Sequence, residues 1–111
     1  MMNKYVEPLE ERGDDPVYIA DLNYVKPLAE VERYLPEHRA FLEKYYRAGK
    51  FICSGRKNPR TGGIILFNAI DEKEMKAIIL EDPFHVHGIA AYTVTEFYPT
   101  NCAKDFERFT V

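Results

Sequence analysis

The chain has 111 residues, 46% hydrophobic and 14% aromatic, with a formal net charge of −3. That length predicts one domain with its own core, and the aromatic content excludes a disordered chain. A mildly acidic balance without a basic stripe argues against nucleic acid as a partner, and no apolar run approaches the roughly 20 residues of a membrane-spanning helix.

Residues 1–15 are polar and acidic and read as a loosely held N-terminal arm. From Val17 to Val25 the run VYIADLNYV is rich in β-branched and aromatic residues, which predicts a strand. Pro36 suits the first turn of a helix and not its interior. The main helix is therefore expected to start near Pro36, after a short turn, and to end at Gly49, with Phe41, Leu42 and Tyr45 on one face. KFICSG is a second strand, GRKNPRTGG a loop, and IILFNAI (64–70) a third strand. DEKEMKAIILED reads as a second helix. Asp71 caps it, Glu74 follows three residues later as in a capping box, and Met75, Ile78 and Ile79 form its apolar stripe. IAAYTVTEFYPT is a last strand stopped by Pro99, and 101–111 is a tail with Phe106 and Phe109 available for docking.

The order is β-α-β-β-α-β over residues 16–100, an α+β, ferredoxin-like arrangement. Two helices cover only one face of such a sheet. IILF nevertheless places large apolar side chains on both faces of its strand. A homodimer packed through the open sheet face is the expected partner arrangement, with a higher oligomer left open.

Cys53 and Cys102 form no CxxC pair and describe no disulfide framework. The sequence starts without a signal-peptide pattern, so the expectation is a cytoplasmic protein with reduced thiols. No phosphate-cradling, zinc-protease or nucleophile-elbow motif occurs, and no cofactor is expected.

The chemistry-bearing residues gather at two places. His38 leans toward the apolar face of the first helix, with a core-edge histidine as the competing reading. In LEDPFHVHG, Asp82 precedes a proline and so ends the second helix, where Glu81 and Asp82 meet the negative end of the helix dipole at an exposed turn. His85 and His87 form an HxH spaced for metal on one side of an extended segment. That weak alternative lacks a defined third ligand. The loop SGRKNPRTGG offers backbone amides and Arg60 to an anionic ligand.

YLPEHRAFLEKYYRAGKFICSGRKNPRTGGIILF, followed by EDPFHVHGIAAYTVTEFYPT, resembles the YciI-like proteins of the dimeric α+β barrel group. The shared landmarks are a histidine early in helix one, a glycine before strand two, an SG ending that strand, and the acidic-Asp-Pro-aromatic turn. The resemblance implies a candidate catalytic pair, His38 and Asp82, with Ser54, Gly55, Arg60, Pro83 and Phe84 as ligand contacts. Many members have an arginine three residues before the histidine. Here that position is Leu35, with Arg33 and Arg39 nearby. The wider group includes muconolactone isomerase-like enzymes and a dehydrochlorinase acting on a chlorinated hydroxyquinol.

The expected function is cofactor-independent acid/base chemistry, isomerisation or elimination, on a small anionic aromatic or unsaturated molecule. His38→Ala should then abolish turnover and leave the thermal midpoint nearly unchanged. The competing class is a non-catalytic small-ligand-binding or structural dimeric module. A haem- or quinol-handling oxygenase ranks third.

Overall fold

A computed structural model describes residues 6–8 and 16–106. A four-stranded antiparallel sheet is formed by β2 (Val17–Tyr24), β3 (Phe51–Arg56), β4 (Gly62–Asn68) and β5 (Ala90–Phe97), following a short first strand, β1 (Val6–Pro8). Its order, β3-β4-β2-β5, puts the first sheet strand in the centre between β4 and β5. Helices α1 (Leu28–Arg47) and α2 (Glu72–Leu80) supply the two crossovers. This is the ferredoxin-like topology that the element order predicts.

Period two decides what each strand buries. Tyr18, Ala20 and Leu22 of β2 pack with Ile65 and Phe67 of β4 beneath Val31 and Phe41 of α1 and Met75, Ile78 and Ile79 of α2. On the other face Ile19 is opposite Leu66, and Asp21 is opposite Ile64. These three apolar residues remain half-buried. Gly62, the first of the Gly62–Gly63 pair, is required by close approach: a Cβ there would lie 1.7 Å from the Leu22 carbonyl oxygen.

Helix α1 begins eight residues before the proline expected to open it, so Pro36 lies in its interior. The reason is tertiary burial. Val31, Tyr34 and Leu35 precede the proline and all pack on the core, in register with His38, Phe41 and Leu42 after it. Each fully buried apolar side chain contributes about 1.5–3 kcal/mol, which offsets the ~3 kcal/mol cost of an interior proline. Pro36 itself is exposed. Pro36→Ala is therefore expected to raise stability, by up to about 3 kcal/mol, read as a higher denaturation midpoint. A lower midpoint would show that the proline shapes the helix usefully.

Helix α2 starts as its capping box predicts, with the Asp71 carboxylate accepting from the Glu74 amide at 2.9 Å. It ends two residues earlier than expected, at Leu80, and a short helix α3 (Pro83–Val86) follows. The arm and the tail also meet: β1 pairs antiparallel with β6 (Asn101–Ala103), Val6 opposite Ala103. Over these three residues the arm is hydrogen-bonded rather than loose. Phe106 is half-buried, and Phe109 lies outside the described residues.

Candidate active site

Asp-Pro is a helix start as well as a helix stop. The Asp82 side chain accepts from the Phe84 amide at 3.0 Å and Pro83 occupies the first helical position, so Asp82 is the N-cap of α3. This corrects the expectation that Asp82 sits at the negative end of the α2 dipole on an exposed turn. Its exposure is 0%. Glu81 holds the C-cap of α2, and its carboxylate accepts from Lys44 at 2.5 Å and from the Tyr45 hydroxyl, both on α1. These hydrogen bonds hold the Glu81 carboxyl below its usual range, and burial beside Glu81 pushes the Tyr45 phenol up to about 12.

A buried carboxylate is costly unless its oxygens are satisfied. For Asp82 they are. Oδ1 takes the Phe84 amide and lies 2.7 Å from His38 Nδ1, and Oδ2 accepts from the Tyr92 hydroxyl of β5. Burial, then the Asp82 charge, push the Tyr92 phenol far above its usual value, so it stays a donor. An ionised carboxylate only accepts, so beside one this contact requires the His38 tautomer protonated on Nδ1, with Nε2 turned away from Asp82. The ring is fixed from a second side by Phe84, stacked at 4.0 Å between centroids and 5° between planes.

His38 is 8% exposed and opens onto a cavity of about 220 Å³. Ser54 and Gly55 of β3 and Phe84 line it, as do Leu35, Arg39 and Arg56. The Tyr46 and Ser54 hydroxyl oxygens lie 2.7 Å apart. Three expectations change here. Arg60 does not line the cavity; its guanidinium lies 3.2 Å from the Glu32 carboxylate of α1. Pro83 is a helix-starting residue outside the lining. Asp82 is also outside it, one layer behind His38, and reaches a ligand only through the imidazole.

The histidine pair of the HxH does not stay together. The expected extended segment is the helix α3, with His85 in its last turn and His87 at its C-cap. His85 meets Tyr92 edge-on and borders a separate apolar cleft with Met75 and Ile79. The His87 ring stacks on Tyr34 at 4.1 Å, and its Nε2 is 3.8 Å from Glu37. Among the described residues no group of three His, Cys, Asp or Glu side chains is placed to hold a metal ion.

Tyr92 is the group that sequence reasoning missed, and of the cavity arginines Arg39 stood out only as a neighbour of Leu35. Tyr92 occupies an ordinary inward position of β5, and nothing local marks it. Arg56 was visible only as one of several cations in a polar loop.

The sequence profile described as YCII-related domain matches residues 17–98. No curated protein matches the chain. Among solved structures, 5-chloro-2-hydroxyhydroquinone dehydrochlorinase (TftG) from Burkholderia phenoliruptrix AC1100, complexed with 2,5-dihydroxybenzoquinone, is similar at TM-score 0.64 and 18% identity. The match covers 73% of this chain and 92% of that one. SnoaB, a cofactor-independent oxygenase from Streptomyces nogalater, matches at TM-score 0.49 and 13% identity, covering 78% and 94%. The fold is that of the dimeric α+β barrel group.

Proposed function

The chain belongs to the YCII-related domain family, and from that premise we propose that it catalyses cofactor-independent proton transfer on a small anionic aromatic or unsaturated molecule. The observation that carries this reading is the 2.7 Å contact between His38 and a carboxylate with no exposure of its own. Asp82 fixes the imidazole tautomer, and Nε2 removes a proton from the ligand as general base. The C–H electron pair moves into the neighbouring π system. In an isomerisation the same nitrogen returns the proton to another carbon. In an elimination the C–H pair becomes the new double bond, the leaving group departs with the electrons of its own bond to carbon, and the imidazolium passes its proton to water. The dehydrochlorinase of the same fold, complexed with a small dihydroxyquinone, supports this class of substrate. The cavity is smaller than the ~300–1,000 Å³ of sites for drug-sized ligands, which favours a molecule of one ring or less.

Deuterium exchange tests the reading. In heavy water the protein should wash deuterium into the acidic C–H positions of one or more members of a panel of small unsaturated anions, followed by proton NMR. Binding without exchange across the panel favours a ligand-binding module instead.

The dimer belongs to the same proposal. Ile19, Ile64 and Leu66 form a half-buried apolar stripe on the face that no helix among the described residues covers. A second copy packed sheet to sheet covers it. Light scattering at micromolar concentration should return twice the chain mass, and a monomer would remove this part of the proposal.

A further inference from the structure

We infer that the His38 cavity is a carboxylate site in which Arg39 and Arg56 clamp the acid group of the ligand while His38 faces its carbon skeleton. This deepens the proton-transfer reading by naming the substrate class, and it rests on that reading only for which atom reacts.

Three observations converge on it. The cavity lining contains two arginines, one histidine and no Asp or Glu, although the chain as a whole is acidic. The two arginines come from different elements: Arg39 follows His38 on α1, and Arg56 ends β3 opposite Gly63. Lastly, six of the twelve described Lys and Arg side chains are spoken for. Lys44, Arg47, Lys50, Lys57, Arg60 and Lys76 each face a protein carboxylate. Arg39 and Arg56 have no ion-pair or hydrogen-bond partner among the described residues. Two guanidinium groups with no counter-charge among the described residues on one small cavity create a positive potential that an anion relieves. The planar donor fork of arginine matches a carboxylate in two-point contact, which a lysine does not reproduce. Much of the remaining wall, Leu22, Leu35, Leu42 and Phe84, is apolar and suits a flat hydrocarbon frame. A carboxylate held there also withdraws electrons from the skeleton that His38 is to deprotonate.

The test is an NMR titration of the full chain with benzoate, phenylacetate and sorbate, each beside its neutral amide. Each carboxylate should move the Ser54 and Gly55 amide signals and the His38 ring signals to saturation, with its amide binding about tenfold or more weakly, the loss expected for a charge-assisted contact. Arg39→Gln and Arg56→Gln should each weaken benzoate about tenfold or more, Arg56→Lys should restore only part, and Lys73→Gln on α2 should leave binding unchanged. Carboxylates and amides that titrate alike overturn the inference. So do arginine variants that bind as wild type does, or the absence of binding by all three acids. Arginine-dependent binding with no proton exchange would leave the site standing and remove the proton-transfer reading; exchange without arginine dependence would do the reverse.

Discussion

Asp82→Ala is expected to lower the stability of the domain by about 3 kcal/mol or more, since each buried donor left without an acceptor costs about 1–3 kcal/mol. The reason is local. Three donors converge on this carboxylate, from His38, the Phe84 amide and Tyr92, and alanine leaves all three without an acceptor where water does not reach. Against a total stability of about 5–15 kcal/mol, the loss should lower the thermal midpoint by more than about 10 °C. The entry to α3 should loosen as well, because the same side chain caps it. Asp82→Asn separates stability from chemistry. The amide keeps the shape, and its oxygen still accepts from the Phe84 amide and faces His38 while its N–H₂ donates to the Tyr92 hydroxyl, so what is lost is the negative charge that holds the ring proton on Nδ1. In a Ser-His-Asp triad the same replacement costs about 10⁴ in turnover, and a loss of that order in exchange rate is expected here with the fold intact by circular dichroism. An Asp82→Ala protein that melts with the wild type would contradict the buried geometry.

The second large effect is at His38. Substitution by asparagine should reduce proton exchange by about 10² to 10⁴, the usual contribution of a general base, with only a small loss of stability. An asparagine side-chain N–H can reach the place of Nδ1–H, so Asp82 keeps its donor. His38→Ala is not the silent control that sequence alone suggests. It removes the ring stacked on Phe84 and leaves a fully buried carboxylate one donor short, so its thermal midpoint should fall too. Comparing the two variants separates the base from the buttress. If His38→Asn exchanges as fast as wild type, some other group is the base.

Much of this was legible in the sequence because it is written in short-range patterns. The strand VYIADLNY, the Asp71–Glu74 box and the C-terminal Gly49 at φ 75° each state a local rule that the structure obeys. The pairing of His38 with Asp82, separated by 44 residues, came from family likeness rather than from spacing. What failed did so for physical reasons. Pro36 was read by propensity, and burial on both sides of it prevailed. Asp82-Pro83 was read only as a stop, although an acidic N-cap before proline is equally a start signal. The likeness of PRTGG to part of the family points to Arg60, and only the strand register shows that Arg56, in the same polar run, is the one that borders the cavity. Tyr92 is invisible in one dimension, since an inward tyrosine on a strand declares no partner until the opposite layer is placed.

The measurement that tests the central claim most directly is the tautomer of His38, read from a long-range nitrogen–proton NMR spectrum of the imidazoles at a pH where the ring is neutral. The account predicts a protonated Nδ1 and a bare Nε2 in the wild type, a larger share of the Nε2-protonated form in Asp82→Asn, and His85 and His87 the same in both. A wild-type His38 protonated on Nε2, or one indifferent to Asp82→Asn, would contradict it.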